Sequence, residues 1–323
     1  MNDPQGALEG RMNVQMAVAK SSAEPAILAE DIAERVSRRR GQLAAVAFVL
    51  LWCSGYPAGK IAIQHGAPFT ILLLRFTFAA AIFGGLAFFA RATWPGSRAL
   101  AHSAVVGLLS LALSFGGIYE GLHLGVSTGV SALFIGAMPL ATALFGLVFG
   151  ERLGPRQWLG LALGFIGVVL VLQGRLDGGH ASGYGYVASL IGLLGLSLGT
   201  LYQKRHSTQL DLRIGLCAQH AVAALAVLPL AALLEHFRMD GSNAYVGALS
   251  WIVLVNSVGG FALLFALLRR GAATEVAALF YMMPPITALM GFLILDEHLS
   301  LPMLPGFVLV AVGVWLGTRR ADA

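Results

Sequence analysis

The chain has 323 residues, of which 57% are hydrophobic and only 11% charged, with a formal net charge of +5 and a mean hydropathy of +0.78. Soluble domains carry roughly 25% charged residues, so this composition excludes a water-soluble surface and makes lipid the main solvent. The basic balance does not mark a nucleic-acid partner, because Lys and Arg cluster in short loops between apolar runs, where cytoplasmic loops of membrane proteins hold them.

Residues 1–40 are polar, of mixed charge, and end in Arg38-Arg39-Arg40. They lack the apolar core of a signal peptide and read as a cytoplasmic tail. Leu28, Ile32 and Val36 recur every four residues, a spacing open to a short amphipathic helix on the membrane surface. Ten apolar runs follow, each near the roughly 20 residues that cross a bilayer as a helix: about 42–63, 68–90, 99–122, 126–149, 156–173, 184–203, 213–234, 245–268, 272–295 and 302–318. The predicted fold is therefore an all-α integral membrane protein of ten transmembrane helices. Short linkers make neighbouring helices antiparallel.

Span 1 holds Trp52, Tyr56 and Lys60. Trp52 and Tyr56 share one helix face, and Trp52 lies near mid-span, where an aromatic belt is not expected. The stretch Gly55-Tyr56-Pro57-Ala58-Gly59-Lys60 echoes a phosphate loop but is one residue short and lacks the following Ser or Thr. No nucleotide or other cofactor is expected. Arg75 in span 2 lies about two turns inside and reads first as a structural cation bonded to neighbouring carbonyls. Span 3 carries Ser110 near its middle and Tyr119 and Glu120 near its end. Lys60, Arg75 and Glu120 are charge candidates because ionisable groups inside spans are functional candidates by default; Lys60 and Glu120 are open to pairing with one another, to a zwitterionic substrate, or to snorkelling. Phe134 and Met138 of span 4 precede Pro139; Phe280, Tyr281 and Met282 of span 9 precede Pro284 and Pro285. Each proline removes a backbone donor and kinks the helix, which suits either a midplane cavity or close packing. Tyr202 ends span 6, open to a cavity or an interfacial role. Asn256 lies mid-span in span 8, where an unpaired amide is costly. Cys53 and Cys217 read as packing residues, and His102, His123 and His220 show no metal-ligand spacing. The series Gly121-x3-Gly125-x3-Gly129, Gly160-x3-Gly164 and Gly195-x3-Gly199 permit close helix approach.

The chain repeats itself at one offset. Pro139 matches Pro285 (285 − 139 = 146), and the same step pairs Glu151 with Glu297, Gly160 with Gly306, Gly167 with Gly313, Phe115 with Phe261, Tyr56 with Tyr202 and Ser110 with Asn256. The domains expected are a tail, 1–40, and two five-helix repeats, 41–175 and 183–320. Arg91, Arg98, Arg152, Arg156, Lys204, Arg205, Arg213, Arg269, Arg270, Arg319 and Arg320 fall in alternate loops, which places both termini in the cytoplasm. An odd number of spans per repeat inverts the second copy, the building plan of secondary transporters with a site between the halves.

At these residues the chain resembles the drug/metabolite transporter superfamily and, within it, the EamA-type carriers. The resemblance runs over about 42–318 and rests on Leu51-Trp52-Cys53-Ser54-Gly55-Tyr56, Arg75, Ser131-Ala132, Pro139, Glu151, Gly160, Leu201-Tyr202-Gln203-Lys204, Pro285, Glu297 and Gly306. In length and loop sizes the chain is also similar to the YddG-type amino-acid exporters. The resemblance implies export of amino acids or related metabolites across the cell inner membrane, with spans 1, 3, 4, 6, 8 and 9 around a central cavity. The expected substrate contacts are Trp52, Tyr56, Ser110, Tyr119, Phe134, Met138, Tyr202, Asn256, Phe280 and Tyr281; Pro139 and Pro285 are the expected kinks. The partners are a small molecule and the bilayer. The membrane-embedded Glu that the small multidrug-resistance branch places in its first helix is missing from span 1. Cationic drug efflux remains the alternative. An intramembrane enzyme lacks a catalytic constellation, and a channel lacks charged rings or a filter-like loop.

Overall fold

The structure, a computed structural model, describes residues 41–148, 153–176, 181–206, 210–269, 282–297, 301 and 303–318. The chain divides into two compact units, Met1–Ala47 and Phe48–Ala323. Of the first, only the opening residues of a helix are described; the second holds a helical bundle. Ten helical runs stand among the described residues: α1 (Gly41–His65), α2 (Pro68–Phe89), α3 (Ser97–His123), α4 (Thr128–Leu147), α5 (Pro155–Leu176), α6 (Gly183–His206), α7 (Leu212–Leu233), α8 (Asn243–Leu264, continuing to Arg269), α9 (Met283–Leu295) and α10 (Met303–Thr318). The ten expected spans coincide with them, except that 272–281 of span 9 lie outside the described residues. Seven are long and apolar enough to cross a membrane; the apolar parts of α5, α9 and α10 are shorter within the described residues. The described β structure is one isolated bridge, Gly66 to Met239. The bundle's outer faces carry bare apolar side chains such as Phe165, Leu225, Leu293 and Val308. Hydrocarbon rather than water is the solvent those faces require.

Local chemistry sets the helix ends. Pro68 opens α2, where its missing N–H costs nothing. Ser242 starts α8 by accepting a hydrogen bond from Tyr245 N–H at 3.2 Å. Asp211 starts α7 by accepting from Arg213 N–H at 2.9 Å. Two helix starts borrow a carboxylate from the other repeat. Glu235 accepts from the N–H groups of Phe69 and Thr70 at the head of α2, and Glu297 accepts from the N–H and Oγ of Thr128 at the head of α4. A negative charge at a helix N-terminus satisfies orphan donors and complements the helix dipole. α4 is interrupted at Ala137, two residues before Pro139. Pro285 falls in the first turn of α9.

The helices pair as a two-fold arrangement of inverted repeats requires. Each helix n of the first repeat corresponds to helix n + 5 of the second. α2 packs on its own mate α7, α4 on α9 and α5 on α10; α7 against α3 is matched by α2 against α8. The glycines carry the same relation. A Cβ on Gly167 of α5 would stand 2.7 Å from Gly306 O, and one on Gly313 of α10 would stand 2.6 Å from Gly160 O. Those two contacts exchange under the repeat offset. α3 and α6 meet as closely, with Gly117 against Gly192 and Gly199 against Ser110. Gly125, expected in a helix-contact series, instead has φ +95° in the turn between α3 and α4. The expected glycine contacts of α3, α5 and α6 are thus made inside one chain.

Both α3 and α8 contain a π-helical stretch, Gly107–Leu113 and Trp251–Gly259. The repeat offset carries the first onto 253–259. A π turn widens the helix and re-aims side chains, and such turns cluster at functional sites.

Candidate functional site

The two π stretches present Ser110 and Asn256 to the interior. Asn256 faces α1 so closely that a Cβ on Gly55 would collide with its amide. Its Nδ2 donates to Leu51 O at 2.9 Å and Trp52 O at 3.0 Å. Its Oδ1 accepts from Arg75 Nη2 at 3.2 Å. Arg75 Nε donates to Ser257 Oγ at 3.1 Å and Nη1 to Tyr119 Oη at 3.2 Å. The guanidinium carbon stands 4.1 Å from the centre of the Phe115 ring, a cation–π distance. One network therefore joins α1, α2, α3 and α8, and it is 3% exposed at Arg75 and 8% at Asn256.

This network forms the deep wall of a cavity of about 490 Å³. Trp52 and Tyr56 of α1, Ser110, Phe115 and Tyr119 of α3, and Phe261 of α8 line it. Trp52 meets Phe261 edge to face, with ring centres 5.7 Å apart. The cavity runs toward the bundle end where α6 finishes and α7 begins, past Thr200, Gln203, His206 and Asp211. Gln203 and His206 there are exposed. At this rim His102 shares a hydrogen bond with Tyr202 Oη at 2.8 Å, and His206 stacks on Tyr202 at 4.3 Å. The Asp211 carboxyl is held below its usual range, first by Arg213, which donates to it through guanidinium and backbone.

The opposite end is closed by bonds between helix ends. Besides Glu235 on α2 and Glu297 on α4, Lys60 Nζ donates to Leu122 O and to Val126 O (3.4 Å). His65 meets Asp240 at 2.7 Å, Ala67 N donates to Arg238 O at 2.9 Å and Ser182 N to Leu124 O at 3.0 Å. The bonds from Ser242 N–H, then from His65, hold the Asp240 carboxyl below its ordinary range.

Of the expected contact residues, the cavity brings together Trp52, Tyr56, Ser110, Tyr119, Met138 and Asn256. Phe134 lies elsewhere. Before the break at Ala137 it turns into a second core with Val130, Leu133, Met303 and Phe307. Tyr202 stands at the rim and contacts the lining histidines rather than lining the cavity itself. Phe280 and Tyr281 lie outside the described residues. Arg75 is not bonded to carbonyls as expected but to three side-chain oxygens. Lys60 serves the carbonyl end of α3, where a cation complements the dipole, and Glu120 lines a separate recess with His123 and Glu235. Spans 2 and 7, not among the expected lining spans, both contribute to the cavity through Arg75 and through Gly215, Leu216 and Gln219. Phe115 and Phe261 are cavity walls; in the sequence they stood out only as a repeat pair. Gln219 and Thr200 carry no comparable sequence signal. Among the described residues, no group of three His, Cys, Asp or Glu is placed to hold a metal ion.

A helical membrane bundle of two five-helix repeats, closed at one end and hollow toward the other, is the build of a membrane transporter. The model of the EamA-like transporter family matches residues 39–173 and again 183–319. The chain belongs to that family. It is similar to the "Uncharacterized inner membrane transporter YedA" of Escherichia coli (strain K12), at 25% identity over 79% of this chain and 82% of that protein. It is also similar to the "Probable amino-acid metabolite efflux pump" of Escherichia coli (strain K12), at 25% identity over 87% and 95%. One solved crystal structure superposes with a TM-score of 0.58 at 20% identity, over 87% of this chain and 96% of its own, and speaks to the fold alone.

Proposed function

We propose that this transporter exports amino acids, mainly neutral and aromatic ones, across the cell inner membrane by alternating access. The observation that carries the reading is a cavity lined by aromatic and neutral polar groups that is sealed at one end and leads to the other. Its 490 Å³ falls within the roughly 300–1,000 Å³ of small-molecule sites. Trp52, Tyr56, Phe115 and Phe261 suit flat or apolar side chains. Lys204, Arg205 and Arg213 stand at the open end, which by the positive-inside rule is the cytoplasmic one, so loading occurs from the cell interior. Release then needs the closed end to part while the open end shuts, and the two-fold pairing of α2 with α7, α4 with α9 and α5 with α10 supplies a frame that can rock between mirrored states. The amino-acid efflux relative supports the substrate class.

The test is counterflow into proteoliposomes with a panel of labelled amino acids, nucleosides, sugars and cationic drugs. Accumulation of neutral or aromatic amino acids only in preloaded vesicles is the expected result, since a channel shows no counterflow. Movement of quaternary ammonium drugs and of no amino acid replaces this reading by drug efflux.

A further inference from the structure

We infer that Arg75 is the carboxylate anchor of the transported molecule, so that the site selects compounds bearing a carboxylate and rejects permanent cations. This rests on the proposed transport of amino acids through the same cavity and narrows what the cavity accepts.

Arg75 is 3% exposed in a segment that crosses the membrane, where a charge is costly unless paired or used. Its partners are Ser257 Oγ, Tyr119 Oη and Asn256 Oδ1, all of them neutral, with the Phe115 ring beneath it. No carboxylate contacts it among the described residues. A guanidinium offers five N–H donors; these three bonds use one each of Nε, Nη1 and Nη2, which leaves one N–H on each terminal nitrogen. Two N–H groups on the two terminal nitrogens are the set that a carboxylate takes bidentately. Arg75 also lines the cavity, and the acidic side chain among the cavity's described lining residues, Asp211, stands far off at the rim. Among the described residues that line it, the deep cavity therefore carries the one positive charge of Arg75 and no negative one. Its neutral partners hold the planar fork in place: Asn256 is itself tied to two α1 carbonyls. The aromatic rings of Trp52 and Phe261 line the same cavity, where an ammonium or an apolar side chain of the substrate would meet them.

The test uses the purified full-length chain in proteoliposomes preloaded with L-phenylalanine. Counterflow of labelled L-phenylalanine is competed with L-phenylalanine, 3-phenylpropionate, L-phenylalaninamide and tetraphenylphosphonium. The two carboxylates are expected to compete, the amide about ten- to a hundred-fold more weakly for loss of a charge-assisted pair, and the phosphonium not at all. Arg75→Lys keeps the charge without the fork and is expected to weaken both carboxylates while leaving the amide unchanged. An amide that competes as well as the acid overturns the anchor while leaving amino-acid transport standing. If no phenylalanine counterflow occurs, the proposed substrate fails, and thermal stabilisation of the wild-type protein by the same four compounds still reads Arg75. A rise of the melting midpoint with carboxylates and not with the amide or phosphonium upholds the anchor; equal stabilisation by the amide, or none by either carboxylate, overturns it.

Discussion

Glu297 closes the sealed end of the bundle through the head of α4, and its removal is expected to open that end. Its carboxylate accepts from Thr128 N–H at 3.0 and 3.1 Å and from Thr128 Oγ at 2.8 Å. Thr128 is fully buried, so its donors have no water to fall back on. Hydrogen bonds to a charged acceptor contribute about 1.5–3 kcal/mol each, against about 0.5–1.5 for neutral ones, and the helix N-terminus adds roughly 0.3–1 kcal/mol for the negative charge. Glu297→Gln keeps one acceptor oxygen and loses the charge, so a shift of about 2 kcal/mol is expected. At 1.4 kcal/mol per decade this changes the ratio of closed to open by roughly thirty-fold. Ser131, one turn into α4 and fully buried, is a near-isosteric reporter position. With Cys53 and Cys217 replaced by Ala, Ser131→Cys is alkylated with N-ethylmaleimide in the presence and absence of Glu297→Gln. The labelling rate is expected to rise by about the population shift. An unchanged rate at an unchanged melting midpoint refutes the reasoning, and a lowered midpoint with an unchanged rate reduces Glu297 to a helix cap without a part in opening.

Three further outcomes separate site from scaffold. Asn256→Ala strips one acceptor from Arg75 and one amide from two carbonyls; at about 0.6–1.7 kcal/mol per bond in a membrane, it is expected to cost about 2–5 kcal/mol and to lower the melting midpoint. Trp52→Ala and Tyr56→Ala, on a cavity wall that is already half-open, are expected to reduce transport at equal protein with a smaller thermal loss; the reverse ranking in purified variants places the cavity wrongly. Gly167→Leu and Gly313→Leu each push a side chain into the backbone of the partner helix, at Gly306 and Gly160 respectively. Overpacking of this kind costs about 1–3 kcal/mol, and because the two positions are repeat mates the two losses in thermal unfolding are expected to be alike; a loss at one alone contradicts the two-fold pairing of α5 and α10.

Much of the frame was legible in the sequence, because it is written in local and repeated signals. Apolar windows gave the helices, Gly160-x3-Gly164 gave a close helix approach, and one offset, with Gly160 on Gly306 and Gly167 on Gly313, tied the halves together. The offset even duplicates the partners of the closed end: Glu297 maps to Glu151 and Thr128 to Thr274. What it does not reveal is that Glu297 reaches Thr128 across the repeat boundary, since that bond joins α4 to the loop after α9.

The deep site was less legible for a physical reason. The repeat mates of Arg75, Ser257 and Tyr119 are Ala221, Leu111 and Phe265, and that of Asn256 is Ser110. None of these can rebuild the guanidinium network, so a reading guided by symmetry passes over it and takes Arg75 for a structural cation. The division follows from what each part has to do. The frame of the proposed carrier reuses its contacts at both ends, so Pro139, Glu151, Gly160 and Gly167 recur in the second copy as Pro285, Glu297, Gly306 and Gly313. A bound molecule with one carboxylate is not symmetric, and its anchor needs a single charge on one side of the axis. Arg75 sits on Phe115, while the mate of that ring, Phe261, receives Trp52. The same aromatic floor thus carries a cation in one half and an indole in the other, which is the asymmetry that a carboxylate at one end of a substrate and an apolar group at the other require.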